Sequence, residues 1–114
     1  MVFVEFFEDR DELLKAFKFT GHAGAAPHGE DLVCSAISVL SQTAVIGLQY
    51  YLREKPKLEI AAGLLSCILP DGLNELEQER SQTILKTMEL GLKALQPKYG
   101  NYFELHRRRW TECL

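Results

Sequence analysis

The sequence predicts an α+β fold, a two-layer sandwich with a mainly antiparallel sheet covered by two helices. Three observations carry it. Two pairs of short apolar runs are each joined by a short connection, the first acidic and the second built around Gly63, which favours hairpins. Two longer segments show apolar residues at three–four spacing, which favours amphipathic helices. The order strand–strand–helix–strand–strand–helix–strand then suits segregated layers better than a doubly wound parallel sheet. The chain has 114 residues, enough for one core and one domain spanning 1–114.

Residues 2–7 alternate, with Val2, Val4 and Phe6 on one face and Phe3, Glu5 and Phe7 on the other. Residues 8–12 are charged and turn-like, and Asp9 and Asp11 suit local side-chain bonds. Residues 13–20 form the second strand, with Phe17 and Phe19 on a face opposite Ala16 and Lys18. Residues 21–30 hold three glycines and one proline in ten positions and read as a loop. Asp31 follows as the expected N-cap of a helix running to about Leu52. The apolar stripe of that helix is Val33, Ala36, Ile37, Leu40, Ala44, Gly47, Leu48 and Tyr51. Short strands are expected at 58–61 and 64–69, around Gly63, before the break Pro70-Asp71-Gly72. A second helix runs from about Asn74 to Leu95, with Leu76, Ile84, Met88, Gly91, Leu92 and Leu95 inward and Pro97 as its stop. A last strand is expected at 99–105, then a basic tail, HRRRWTECL.

Composition excludes several classes. Hydrophobic residues at 46% and charged residues at 25% rule against long disorder and collagen-like repeats. Residues 32–52 carry three serines, two glutamines and a threonine, which argues against a membrane span. The N-terminus has no basic region ahead of an apolar run, so no secretory signal is expected. A net charge of −3 excludes a globally basic nucleic-acid binder. Three cysteines, an odd count without a CxxC pair, suit reduced thiols in the cytoplasm.

The chemistry-bearing segment is 21–38. With Asp31 as N-cap, Cys34 is the third residue of the helix, where unpaired amides and the helix dipole lower a thiol pKa. Cys34 lies off the apolar stripe, one turn from Ser38. His22, on a loop returning to the helix start, is placed to pair with it. A Cys–His pair suffices for acyl transfer, with the helix-start amides as an oxyanion hole. Spacing alone favours the plainer alternative, an inert thiol and a solvated histidine. His28 is a rival base, at an expected loop tip. No metal or cofactor is expected, because His22, His28 and Cys34 lack the tight spacing of zinc sites. Cys67 is expected in the core and Cys113 near the exposed terminus. Arg107, Arg108, Arg109 and Trp110 suit RNA phosphate and base stacking, but a solvated tail is favoured and no direct RNA contact is expected. Phe3 and Phe7 mark either a dimer face or residues covered by a bend or the tail.

The two-part motif Gly21-His22-Ala23-Gly24, then Gly29-Glu30-Asp31-Leu32-Val33-Cys34-Ser35-Ala36-Ile37-Ser38, resembles the bacterial ribosomal-processing cysteine protease family. The likeness extends over most of the chain. It implies a homodimeric cysteine endopeptidase that removes a short N-terminal extension from the large-subunit ribosomal protein conventionally numbered twenty-seven. By motif position it implies Cys34 as nucleophile and His22 as base, with Asp31, Ser38, Gly21 and Gly29 supporting. The loop centre Ala25-Ala26-Pro27-His28 and the arginine-rich tail depart from the family pattern. The loop is expected to be mobile and to close over substrate as a lid. The competing function is a non-catalytic ribosome-associated or peptide-binding module.

Overall fold

The computed structural model describes residues 1–21 and 28–111, with backbone alone for 28–31. The elements are β1 (Val2–Glu8), β2 (Leu14–Thr20), α1 (His28–Tyr51), β3 (Lys57–Ala61), β4 (Leu64–Ile68), α2 (Glu75–Tyr99) and β5 (Phe103–Arg109). The expected order therefore holds among the described residues, an α+β fold with two helices on a five-stranded sheet. The strand order is β3-β4-β2-β1-β5. All pairs are antiparallel except β1 with β5, which is parallel, so the sheet is mixed.

The face assignments follow the alternation. Phe6 pairs with Phe17 and Val4 with Phe19, placing all four on the helix side of the sheet. Together with Val2, Leu65, Cys67 and Phe103 they form the buried floor on which both helices rest. Helix α1 contributes Val33, Ile37, Ala44, Val45, Leu48 and the following Leu52 to the core. Its expected stripe is correct at the centre, but Tyr51 is 46% exposed and Ser41 is fully buried instead. By length and composition, Leu32–Tyr51 is apolar enough to cross a membrane, at a mean hydropathy of 1.6. Its serines, glutamines and threonine do not bring the hydropathy below the membrane range, contrary to expectation. Here that apolarity serves the core on one side of the helix.

Helix α2 starts where expected. The Asn74 side chain accepts from the Glu77 N–H at 2.8 Å, and Glu77 accepts from the Asn74 N–H at 3.3 Å, a reciprocal cap. Glu77 also accepts from the Arg53 N–H at 2.9 Å, which turns it inward, and Leu76 is 53% exposed rather than part of the inner face. The buried leucine of that turn pattern is Leu85, not foreseen in the stripe. Pro97 does not stop the helix, which continues to Tyr99. Proline there gives up its own N–H bond and crowds the carbonyl four residues back, but the following amides still close the last turn, as the Gly100 N–H does on the Gln96 carbonyl at 2.9 Å. The Asp9 carboxylate accepts from the Asp11 and Leu13 amides at 2.8 and 3.0 Å, so the first turn forms as predicted. A register irregularity between Phe7 and Glu8 precedes this turn, and after it the Gln82 side chain of α2 takes both backbone groups of Leu14, at 2.8 and 2.7 Å. That amide locks α2 to β2.

The first four residues of the expected basic tail, 106–109, belong to strand β5. Arg107 faces the helices and binds Glu89 of α2 through two bonds of 2.7 Å, with a third to Glu8 at 2.8 Å. Arg108 reaches Glu5 at 3.0 Å. Two of the three arginines thus have fixed partners in α2 and β1, so the segment is a paired strand rather than a free tail, although Arg107, Arg108 and Arg109 remain exposed as expected. Trp110 meets Phe7 edge to face, with ring centroids 6.2 Å apart, and leaves Phe7 only 6% exposed. Of the proposed dimer pair, only Phe3 stays partly open, at 39%.

Candidate active site

Cys34 lies on α1, half-buried, on the wall of a cavity of about 210 Å³. The cavity opens between the first half of α1 and the turn end of β3 and β4. Phe19 and Leu65, each 6% exposed, line it from the sheet. Ser38 and Gln42 line it from the helix, one and two turns beyond Cys34. Ile60 stands at the wall from β3 and is 70% exposed. An apolar floor with a polar helical rim beside a thiol suits an extended peptide whose side chain enters the floor while its carbonyl meets the sulfur.

Gly21 also lines this cavity, and here the backbone dictates the residue. Its φ is +121°, a conformation L side chains rarely adopt. A Cβ there would stand 2.6 Å from the Met1 carbonyl oxygen and 2.9 Å from the Val2 Cα. Its N–H donates to the Gly63 carbonyl at 3.0 Å. Gly21 therefore clamps the end of β2 between the chain start and the β3–β4 turn, at the residue before His22.

Helix α1 begins at His28, so Asp31 is inside the helix and is not its N-cap. Cys34 then lies six residues after the helix start, about 9 Å along the axis at 1.5 Å per residue. The orphan amides belong to the first turn, and the dipole effect fades within it. The expected lowering of the thiol pKa by a third-residue position, and the oxyanion hole from the same amides, have no basis in this geometry. Three glycines and a proline within residues 21–30 point to a loop as far as Glu30, but a single glycine in a first helical turn is tolerated, and Gly29 does not delay the start of α1.

Ser38 is brought to Cys34, as expected. Gly29 is within the first turn of α1, and the side chain of Asp31 lies outside the described residues, as does His22 with the loop expected to act as a lid. Cys113 lies outside them too. Cys67 is 1% exposed on β4, and burial pushes its thiol up to about 12, so it is the core cysteine the alternation predicted and not a nucleophile. Sequence reasoning missed Gln42 and Ile60 as wall residues. The i, i+4, i+8 spacing of Cys34, Ser38 and Gln42 was the available signal for the first; nothing local signalled the second.

A small α+β domain with a cysteine at the wall of an open, apolar-floored cleft has the form of a thiol hydrolase. The profile of the cysteine protease Prp family matches residues 1–104, so the chain belongs to that family of ribosomal-processing cysteine proteases and is a cysteine protease. The ribosomal processing cysteine protease Prp of Bacillus subtilis (strain 168) is 28% identical over 91 residues, covering 78% of this chain and 81% of that protein. Among solved structures, the essential ribosomal processing protease Prp from S. aureus in complex with a substrate peptide superposes with a TM-score of 0.83. It is 20% identical and covers 95% of this chain and all of that one. SMU.848 from Streptococcus mutans gives 0.80 at 23% identity, with 96% of each chain covered. These structural likenesses establish the fold.

Proposed function

We propose that this protease removes a short N-terminal extension from the large-subunit ribosomal protein numbered twenty-seven, with Cys34 as nucleophile and His22 as base. The observation that carries the reading is Cys34 on the wall of an apolar-floored cavity, at the family's motif position. The Cys34 thiolate attacks the scissile carbonyl and forms a thioester through a tetrahedral intermediate. His22 holds the thiol proton and gives it to the leaving amine. Water, deprotonated by the same imidazole, then hydrolyses the thioester. Because Cys34 stands beyond the first turn of α1, activation of the sulfur falls to the histidine rather than to the helix dipole. Gly21 holds the chain at the point where the His22 loop leaves β2. Ser38, Asp31 and Gly29 support the site. The apolar floor favours hydrophobic or aromatic side chains near the scissile bond.

The enzyme works in the cytoplasm, where ribosomal proteins are made, and as a homodimer. Trp110 covers Phe7 on the sheet face proposed from the sequence, while Val39, Ile46 and Tyr50 stand exposed on α1. The test is cleavage of the host's full-length ribosomal protein, followed by mass of the product. Cys34→Ser abolishes cleavage with the fold intact. His22→Ala lowers kcat by about 10²- to 10⁴-fold and His28→Ala leaves it near wild type. Cleavage by Cys34→Ser at the wild-type rate, or a larger loss in His28→Ala, refutes the assignment.

A further inference from the structure

Strand β3 ends the sheet on the side of the Cys34 cleft. It joins β4 through the two-residue turn Ala62-Gly63, with Gly63 at φ +72° and Ala61 opposite Leu64. A two-residue hairpin is closed by a hydrogen-bonded pair, and bonded and non-bonded pairs alternate along an antiparallel ladder. Ala61, Glu59 and Lys57 therefore turn their backbone groups toward β4. Leu58 and Ile60 turn their N–H and C=O outward, along the open edge. The side chains split in the same way. Ile60 lies opposite Leu65 and so on the helix side, where it lines the Cys34 cavity at 70% exposure. Lys57 and Glu59, the charges that would guard the edge, are on the other face. The opposite edge, β5, is separated from the cleft by the breadth of the sheet and carries paired arginines.

We propose that the peptide substrate adds to the edge of β3 as a further strand, with the outward N–H and C=O of Ile60 bonding its backbone and the Ile60 side chain packing on it. The inference rests on Cys34 being the nucleophile, and it names how the substrate is held. An extended peptide is the occupant because the edge is continuous with the thiol cleft. Peptide hydrolysis also needs an extended segment whose carbonyl is open to attack. Strand addition satisfies the peptide backbone while reading only alternate side chains.

The experiment uses a synthetic peptide that the wild-type enzyme cleaves, from the N-terminus of the host ribosomal protein or, failing that, from a random decapeptide library. Each backbone amide except the scissile one is replaced in turn by an ester, which removes one N–H donor. Strand addition gives a drop in kcat/KM of about five- to tenfold at alternate positions and none between them. In parallel, Ile60→Pro removes the outward N–H, and an edge strand tolerates proline where the N–H faces solvent. It raises KM about five- to tenfold beyond Ile60→Ala, with kcat and the rate of thiol alkylation by iodoacetamide unchanged. Ester effects without alternation overturn the proposal. So does Ile60→Pro matching Ile60→Ala, or a dimer turning to monomer in Ile60→Pro with unaltered kinetics, which places a second copy on the edge. Cleavage of library peptides alone refutes the ribosomal substrate, and the alternation still decides the edge. No cleavage of any peptide overturns both.

Discussion

Replacing Glu89 with glutamine tests the joint between α2 and β5. The Glu89 side chain is 1% exposed and takes two bonds of 2.7 Å from Arg107 and one of 2.9 Å from Lys86. Hydrogen bonds from Arg107 are the largest cause holding its carboxyl down at about 2, against an ordinary 4.5. At 1.36 kcal/mol per pH unit, that difference corresponds to about 3 kcal/mol. Arg107 is about one-third exposed, so solvent screening brings the expected contribution nearer to about 2 kcal/mol. A depressed carboxyl stabilises fully above its unfolded pKa and loses the effect as pH falls through the folded value. Glu89→Gln should therefore unfold about 2 kcal/mol more easily at pH 7, a Tm lower by roughly 8 °C for a domain of this size. The gap between the two proteins should shrink below pH 4.5 and close near pH 2. Urea titrations of both at pH 7, 5, 4 and 3 measure it. A gap that stays constant from pH 7 to pH 3, or one below about 0.5 kcal/mol at pH 7, refutes an ion pair as the source.

Three other outcomes follow from the same geometry. Gly21→Ala should cost at least about 2 kcal/mol in urea unfolding and depress peptide cleavage, because a positive φ is strained for alanine and its Cβ meets backbone; a loss below 0.5 kcal/mol contradicts the clamp. At pH 8 iodoacetamide should leave Cys67 unmodified in the native protein and label it in urea, since burial holds the thiol up at about 12; native labelling of Cys67 on peptide mapping contradicts its placement. Sedimentation at micromolar concentration should give a dimer mass, and a 13.0 kDa species alone excludes the proposed assembly.

The alternation of Val2, Val4 and Phe6 determined the inner face of β1, because a pleated strand repeats every two residues whatever surrounds it. Asn74 followed by Glu77 determined the start of α2, because a capping box is closed by the segment itself. The motif around Cys34 determined the family, and Cys34 and Ser38 came together because four residues make about one helical turn. What the local pattern left open was decided by contacts distant in sequence. Arg107 looked like part of a solvated charge run until the parallel pairing of β5 with β1 carried it to Glu89 and Glu8. For Phe7 the pattern left a dimer face and cover by the tail both open, and Trp110, a hundred residues on, decided for the tail. Ile60 became a wall of the Cys34 cleft only through the β3–β4 hairpin and its position at the sheet edge. Periodicity reports which face of an element is apolar, whereas the element that covers that face, or leaves it open to a substrate, is fixed by how the layers pack.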